Sequence, residues 1–518
     1  MSIQTTVENI ENLLRSAREL RDRLWRDAHR PRYHLMPPDG FFNDANGTIF
    51  WNGRYHVFYL GRMPLPDPDK PSTLQWLPVL DHSSSHDLVH WIHHPPAITP
   101  AGDGSTPRGI YSGDAIENAP VPTLIYHVPG QGTCIATSDD PALVHWTPLA
   151  ANPVIPIPEQ PQEYTVFDPC AWYEGGTYYA LIGNKNGRPG YEGDSTSLFR
   201  SVDLTNWEYR GPFYRSNRRW TSEIEDCACP DFFPIGDRHM LLMHGHAPYG
   251  MAHYYLGRYE DEGFLPEIHG RMNWPGGQLS APETLLDDNG RRIFFGWIRE
   301  ARPWQEKPPS YGWASVMTTP RLLSLAEDGT LCIEPVPELE ALRTNHRRWG
   351  DIRLTSDAAI DIEAAHGDCL ELLVEIELGT TAESGIKVRR SPDGAEETTI
   401  SCIPERSTLK IDFSKSTLDD GVEYPRFARH AEPKGIDDSE RYANSQEGPL
   451  ELAEGEPLKL HIFLDRSVLE VFANGRQCLT QRIYPTRADS LGVCIFAGGG
   501  QSTLRSLDVW DMLPVNSW

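Results

Sequence analysis

The first apolar positions of the chain repeat with the period of an α-helix. They are Val7, Ile10, Leu13, Leu14, Ala17, Leu20 and Leu24. Charged residues fill many of the positions between them, which gives the segment an apolar stripe and a polar opposite face. The pattern predicts an amphipathic helix within residues 1–28. The segment is unlike a secretion signal, because it has neither a continuous apolar centre nor a small-residue cleavage site.

Beyond residue 30 the pattern changes to short runs of aromatic and β-branched residues separated by turn signals. Asn46-Gly47 and Asn52-Gly53 contain residues that tolerate the positive φ of tight hairpins. They bound two runs with the composition of strands, 48–51 and 55–59. This part of the chain is therefore predicted to be built from short antiparallel strands.

A short phrase that ends in tryptophan occurs three times, at intervals of about 55 to 60 residues. The copies are Asp87-Leu88-Val89-His90-Trp91, Ala142-Leu143-Val144-His145-Trp146 and Asp203-Leu204-Thr205-Asn206-Trp207. Repeats of this length with several short strands each are typical of a β-propeller, in which one repeat is one blade. We predict that the phrases mark the ends of successive blades.

Composition limits the domain count and the class of partner. At 518 residues the chain is too long for one core, so at least two domains are expected. The net charge of −26 disfavours nucleic acid and anionic membranes as partners and favours a neutral, polar small molecule. No apolar run approaches the ~18 residues of a membrane-spanning helix. A homo-oligomer is compatible with the sequence.

The nine cysteines show no CxxC pair and no ligand spacing with histidine. An odd number of cysteines without an export signal predicts reduced thiols and a cytoplasmic protein. The pairs His93-His94 and His244-Gly245-His246 are interpreted as structural or substrate-contacting. We predict no metal site and no cofactor.

Three acidic positions stand where strands are predicted to begin. Asp44 precedes the first hairpin, Asp168 precedes the run 170–172, and Glu223, Glu225 and Asp226 precede another apolar strand. Taken alone, Asp44 is either a turn-capping residue or a catalytic carboxylate. The inner strands of a propeller converge on its axis, so acids from three blades are expected to meet in one funnel.

The residues around these acids resemble glycoside hydrolase family 32, the invertases, inulinases and levanases. Asn43-Asp44-Ala45-Asn46-Gly47 resembles its Asn-Asp-Pro-Asn-Gly signature, Phe167-Asp168-Pro169 its Arg-Asp-Pro element and Cys229-Pro230-Asp231 its Glu-Cys-Pro-Asp element. Further similarities are Tyr111-Ser112-Gly113-Asp114-Ala115, the stretch 312–321, and Asp465 to Gly475. The resemblance extends over about residues 29–518, in the order of the family's motifs.

The resemblance implies an all-β protein, a five-bladed β-propeller followed by a C-terminal β-sandwich. On this prediction the propeller spans 29–340, a connector spans 341–350 and the sandwich spans 351–518. The helix within 1–28 would lie outside the family core.

The resemblance also implies a retaining glycosidase that cleaves β-fructofuranosidic bonds in sucrose or fructans. Asp44 would be the nucleophile that forms a fructosyl-enzyme, and Glu225 would be the acid and then the base. Asp168 would hold two fructose hydroxyls and stabilise the transition state. The candidate substrate-binding residues are Asn43, Phe42, Trp76, His82, Ser112, Asp226 and Trp313.

Two departures from the family pattern bear on the chemistry. Phe167 replaces an arginine that would contact the fructose hydroxyls. Ala228 aligns with the family's acid/base glutamate, and alanine cannot transfer a proton. The acid would then come from Glu223, Glu225 or Asp226 through a local bulge, and we favour Glu225.

Two other functions remain open at this stage. A fructosyltransferase would pass the same intermediate to a sugar hydroxyl, using acceptor sites in loops such as 64–74 and 301–311. A non-catalytic fructan-binding protein would keep the fold without the acid, and Ala228 is the residue in its favour.

Overall fold

The computed structural model describes residues 3–66, 74–100, 109–160, 164–185, 187, 191–303, 312–427, 432 and 434–515. Most of the loops 64–74 and 301–311, which were expected to hold acceptor sites, therefore lies outside the described residues. One long helix, α1, spans Ile3–Arg26. Its buried Leu24 packs with Met36, Ile298 and Val468. The end of the helix thus contacts the N-terminal and the C-terminal halves of the chain.

The N-terminal half contains five antiparallel sheets of four or five strands, formed in chain order. A pair of short parallel strands, β1 and β21, lies beside them. The first two sheets and β1 comprise Gly40–Phe41 (β1), Ala45–Trp51 (β2), Arg54–Pro66 (β3), Leu74–Ser85 (β4), Trp91–Ile98 (β5), Gly113–Ala115 (β6), Thr123–Val128 (β7), Gly132–Thr137 (β8), Thr147–Pro148 (β9) and Ile155–Pro156 (β10).

The third, fourth and fifth sheets repeat the same antiparallel order. Their strands, with β21, are Pro169–Glu174 (β11), Thr177–Ile182 (β12), Thr196–Ser201 (β13), Glu208–Tyr214 (β14), Ala228–Ile235 (β15), Arg238–Gly245 (β16), Met251–Glu260 (β17), Gly263–Arg271 (β18), Leu279–Leu286 (β19), Arg292–Ile298 (β20), Trp313–Ala314 (β21), Val316–Met317 (β22), Arg321–Leu325 (β23) and Leu331–Pro335 (β24).

The first strands of the five sheets contact one another in a closed cycle. Strand β2 contacts β6, β6 contacts β11, β11 contacts β15, β15 contacts β19, and β19 returns to β2. Each sheet therefore has an inner strand that faces the strands of its two neighbours. Residues that begin an inner strand from different sheets are brought to the same end of this ring.

The repeated tryptophan phrase forms one kind of turn in the first three sheets. It lies just before the outermost strand or next to it, and Leu88, Leu143 and Leu204 adopt positive φ of 53–64°. In the first and third copies, Asp87 and Asp203 accept hydrogen bonds from backbone amides two and three residues later. In the second copy Asp140 accepts hydrogen bonds from the amides of Ala142 and Val144. The recurrence in sequence thus has a physical cause, a carboxylate-capped turn at the same place in each of the first three sheets.

The C-terminal half consists of two six-stranded antiparallel sheets that enclose one apolar core. A 3₁₀ turn at Pro337–Leu342 leads into it. The first sheet contains Arg343–Leu354 (β25), Cys369–Glu377 (β27), Leu458–Asp465 (β32), Val468–Ala473 (β33), Gln477–Arg482 (β34) and Ser502–Met512 (β36). The second contains Ala358–His366 (β26), Glu383–Arg390 (β28), Glu397–Ile403 (β29), Thr408–Lys415 (β30), Ser445–Pro449 (β31) and Gly492–Gly498 (β35). Two further turns, a 3₁₀ turn at Pro404–Arg406 and a short helix, α2, at Asp438–Arg441, lie between strands of this half.

Buried charged groups join the two halves. Arg321 on β23 lies 3.0 Å from Glu470 on β33, and both side chains are almost fully buried. Asp465 accepts hydrogen bonds from the backbone amides of Arg32, Tyr33 and His34 at 2.7–3.1 Å. The conspicuous C-terminal stretch that begins at Asp465 therefore contributes to the domain interface. The predicted all-β class with a C-terminal β-sandwich is confirmed.

Candidate active site

A cavity of about 610 Å³ opens at the end of the ring where the inner strands begin. All five N-terminal sheets contribute to its wall. The acidic, basic and imidazole side chains that line it are Asp44, Arg62, His127, Asp168, Lys185, His244, His246 and Arg299. Among the described residues, Asp44 and Asp168 are the carboxylates of this wall. These two acids therefore line one cavity, as expected for acids at the inner strands of different blades.

Asp44 is held between β1 and β2 by the backbone on both sides. The Leu60 amide donates to the Asp44 carbonyl at 3.0 Å. Its carboxylate accepts a hydrogen bond from the Ser112 hydroxyl at 2.9 Å. Burial raises the pKa of Asp44, against the opposing influence of that hydroxyl and of His246. The carboxylate is thus fixed in position but only weakly compensated by positive charge.

A β-bulge just after Asp44 explains the Asn46-Gly47 pair. Ala45 pairs with Tyr59 and Thr48 with Val57, so two residues face one at this point. Gly47 adopts a φ of +119°, and a Cβ there would lie 3.2 Å from the Ala115 amide nitrogen. The glycine therefore allows β2 to approach β6 closely, which brings Ser112 to Asp44.

Asp168 lies beside Asp44, and Cys229 is the contact common to both. The Cys229 amide donates to Asp168 Oδ2 at 3.2 Å, and its Sγ lies 3.7 Å from the same oxygen. The same Sγ lies 4.0 Å from Asp44 Oδ2. Burial, and next the negative charge of Asp44, raises the pKa of Asp168 to about 6. Two buried carboxylates whose proton affinities are raised in one cavity are characteristic of a catalytic site.

The acidic run 223–226 does not extend a carboxylate into the described cavity wall. Glu225 is 4% exposed and its carboxylate forms a bidentate pair with Arg271 at 3.1 Å, while Glu223 is exposed. Asp226 is fully buried and binds His246. Ala228, at the start of β15, is the residue of this segment that lines the cavity together with Cys229. The bulge invoked for Glu225 is present, but it displaces Cys229 and not the acids.

Cations and rings occupy the wall near Asp168. Lys185 Nζ lies 5.0 Å from the centre of the Phe167 ring, so an ammonium group stands beside the residue that replaces the expected arginine. Arg299 donates to the Gly277 carbonyl at 3.1 Å, and burial lowers its pKa to about 10. Sequence reasoning missed both residues, because each stands at the end of a strand without a motif around it.

The seven predicted substrate-binding residues lie in different places relative to the cavity. Asn43 and Ser112 line the cavity. Trp76 is partly exposed on β4, opposite Pro64, outside the described wall. Asp226 stands behind the wall, in contact with His246.

The other three predicted contacts are corrected by the structure, because their side chains are buried in the core. Phe42 stacks on Tyr59, with ring centres 4.6 Å apart. His82 is fully buried beside Phe58, and burial lowers its pKa to about 2. Trp313 is fully buried and donates to Asp27 at 2.7 Å. An aromatic next to a catalytic motif is as well suited to packing as to sugar binding, and the sequence does not distinguish the two.

The described residues show neither a cluster of metal-ligating side chains nor a membrane-spanning helix. They contain no group of three or more histidine, cysteine or acidic side chains arranged to hold a metal ion. No helix in the same described portion is long and apolar enough to cross a bilayer.

Sequence comparison relates the chain to one family over most of its length. The model of the glycosyl hydrolases family 32 N-terminal domain matches residues 34–335, and the family 32 C-terminal model matches residues 338–511. A sucrose-6-phosphate hydrolase of Escherichia coli is 29% identical, over 93% of this chain and 94% of that protein. A fructan 6-exohydrolase of Triticum aestivum is 27% identical, over 98% and 95%. The crystal structure of fructan 1-exohydrolase IIa from Cichorium intybus has the same fold, with a TM-score of 0.78, 22% identity and coverage of 94% and 98%.

Proposed function

Because the chain belongs to glycosyl hydrolase family 32, we propose that it cleaves β-fructofuranosidic bonds with retention, through a fructosyl ester of Asp44. The family recognised from the sequence motifs is confirmed, and so is the class of enzyme, a fructoside-cleaving glycosidase. The roles of individual residues are our proposal. The observation that carries it is the pair of buried carboxylates, Asp44 and Asp168, that meet in one cavity around Cys229.

We propose further that the five N-terminal sheets are the blades of a five-bladed β-propeller. The closed cycle of contacts among β2, β6, β11, β15 and β19 supports this arrangement. It places the cavity on the axis, where every blade can contribute a residue.

Asp44 is the better placed nucleophile of the two acids. It lies in the same position as the family's nucleophile motif, and the Ser112 hydroxyl that binds it leaves its other oxygen to attack the anomeric carbon. The raised pKa of Asp168 suits a residue that binds fructose hydroxyls and responds to the growing positive charge on the ring. Lys185 supplies a cation beside Phe167, where the family has its arginine.

Sucrose and fructans are the proposed substrates. Because relatives are named sucrose-6-phosphate hydrolase, sucrose 6-phosphate is a further candidate substrate. Arg62, Lys185 and Arg299 in the cavity wall are cations that could bind its phosphate group. The same intermediate could pass to a sugar hydroxyl, so products at high sucrose separate transfer from hydrolysis.

Nine free cysteines, with no disulfide among them, support a reducing compartment and hence the cytoplasm.

One observation favours the second candidate, a fructan-binding protein without catalysis. Ala228 lines the cavity at the position of the family's acid, and Glu225 is held by Arg271. A binding protein would bind a fructoside and release it uncleaved.

The test is the reaction of purified protein with sucrose, sucrose 6-phosphate, inulin, levan and an activated aryl β-fructofuranoside. We expect fructose release from the aryl fructoside and from at least one natural substrate. The exposed-surface variant Glu208→Gln serves as the matched acid-to-amide control for Asp44→Asn. Calorimetric binding of these fructosides without release of fructose from any of them would establish the binding protein instead.

A further inference from the structure

The described wall of the cavity holds no third carboxylic acid to protonate the leaving group. Its described wall holds two carboxylates, Asp44 and Asp168, to which the proposed function already assigns roles. Ala228 presents a methyl group where the family has its acid. Cleavage of sucrose releases a poor leaving group, an alkoxide, so a proton donor is needed as the bond breaks. Among the described residues of the wall, the donor is therefore a different kind of side chain.

His246 is in the cavity wall and is held from behind by a buried carboxylate. Its backbone amide donates to Asp226 Oδ1 at 2.7 Å, and its Nδ1 lies 3.2 Å from both oxygens of Asp226. The His246 side chain is 29% exposed, whereas Asp226 is 1% exposed. A carboxylate on Nδ1 fixes the tautomer and orientation of the ring and leaves Nε2 as the nitrogen that exchanges protons.

The surroundings of His246 place it with the reacting groups. Its ring centre is 5.9 Å from Phe167, the neighbour of Asp168, and 5.3 Å from His244. Its charge acts on both catalytic carboxylates and opposes the rise that burial causes in the pKa of Asp44 and Asp168. Asp226 contacts the His246 ring. The other charged and titratable groups of the described cavity wall are Asp44, Asp168, His127, His244, Arg62, Lys185 and Arg299.

We propose that His246, oriented by Asp226, is the general acid and base that replaces the family's missing glutamate. The proposal rests on the fructosidase function given above. Asp44 forms a bond to the anomeric carbon as the glycosidic C–O bond breaks, and the electron pair of that bond goes to the leaving oxygen. The imidazolium of His246 gives its Nε2 proton to this oxygen. In the second step neutral His246 takes a proton from the water that displaces Asp44, and the imidazolium is restored.

The proposal also assigns roles to the acidic run 223–226. Asp226 is a positioning residue that acts through His246, and Glu225 is a structural partner of Arg271. The sequence prediction that this run supplies the acid is therefore replaced by an indirect contribution from Asp226.

The primary test compares His246→Asn with the wild type on sucrose and on an aryl β-fructofuranoside. Asparagine keeps a nitrogen near the position of Nδ1, so the contact with Asp226 is retained. We expect a fall of about 10²–10⁴-fold in kcat/KM on sucrose and a much smaller fall on the aryl fructoside, whose leaving group needs no proton. The alkaline limb of the pH profile should disappear. The control is His239→Gln, a histidine near the start of β16, the strand that ends just before His246; it lies outside the described cavity wall and should match the wild type.

A second variant separates proton transfer from structure. Introducing Ala228→Glu into His246→Asn restores a carboxylic acid at the family's position, and we expect recovery of sucrose cleavage. Asp226→Asn should lower kcat/KM on sucrose much more than on the aryl fructoside, because the His246 ring loses the contact that orients it toward the leaving group.

The proposal is overturned if His246→Asn cleaves sucrose as fast as the wild type with the same pH profile. Equal losses on both substrates, with no recovery by Ala228→Glu, would also overturn it and leave His246 a structural role. Failure of the proposed function looks different. In that case the wild type does not cleave even the aryl fructoside, or Asp44→Asn remains active.

Discussion

Two pairs of buried carboxylates in this protein have opposite electrostatic environments. In the cavity, burial raises the pKa of Asp44 and raises that of Asp168 to about 6. At the domain interface, burial also opposes ionisation of Glu300, but Arg482 and Arg302 outweigh it and lower its pKa to about 2. The pKa of Asp465 is lowered too, because His34 and backbone amides outweigh its burial.

The difference lies in the partners and not in the depth of burial. The interface acids have arginines, a histidine and amide donors at hydrogen-bond distance. The cavity acids have a hydroxyl, one amide and a thiol. Leaving buried charge incompletely compensated lowers stability, and proteins retain such groups where chemistry needs them. The comparison therefore separates carboxylates that hold the fold from those that act on a substrate.

Asp44→Asn should produce the largest functional change. The amide keeps the shape of the side chain but cannot form the glycosyl ester, so we expect a loss on the order of 10⁴-fold in kcat on an aryl fructoside. The melting temperature should not fall, since an incompletely compensated charge is removed. Full activity in this variant, measured beside Glu208→Gln, would refute the assignment of the nucleophile.

Glu470→Gln should produce the largest loss of stability. It leaves the buried Arg321 without its ion-pair partner, which typically costs about 3–5 kcal/mol. Urea unfolding measures this cost, and kcat/KM of the folded fraction should match the wild type. A change no larger than that of the exposed control Glu208→Gln, measured in the same way, would mean that the interface acids are no better compensated than those on the surface.

Asp168→Asn should reduce kcat by about 10²–10³-fold, with a smaller effect on KM. The reason is that its contacts with the fructose ring strengthen in the transition state. Steady-state kinetics on sucrose and on the aryl fructoside test this. An effect confined to KM would make Asp168 an ordinary binding residue.

The contributions of Asp168 and Glu300 to stability should also change with pH in opposite directions, and this effect should be smaller. The folded state holds a proton on Asp168 between its unfolded pKa of 3.8 and about 6, so its contribution to stability falls as pH rises through this range. Glu300 contributes stability above its unfolded pKa of 4.5 and loses it as pH falls toward 2. Relative to the wild type, Asp168→Asn should gain in melting temperature from pH 4 to 6. The deficit of Glu300→Gln should shrink below pH 4.5. Parallel shifts in the two variants would contradict the comparison.

The sequence predicted features that depend on local chemistry. The positive-φ turn residues Gly47, Asn52 and Gly53 and the motif around Asp44 each have a local cause that is visible in a few neighbouring residues. The amphipathic pattern before residue 28 and the strand runs belong to the same class. Their periodicity reflects the burial of one face.

The sequence could not predict which of several chemically suitable residues reach the cavity. Phe42 and Trp313 have the rings of a sugar platform but pack into the core, and Glu225 has the reach of an acid but binds Arg271. Lys185 and His246 reach the wall because distant strands meet there. Such contacts depend on the register between sheets, which a single sequence does not reveal.

Trapping the fructosyl ester on Asp44 is the decisive experiment for this mechanism. The wild type is mixed with an activated β-fructofuranoside, quenched with acid within the first turnover, digested and examined by peptide mass spectrometry. We expect one fructosyl residue on the peptide that contains Asp44, and none on that peptide from Asp44→Asn. A fructosyl ester on a different carboxylate, or cleavage with inversion and no adduct at all, would contradict it.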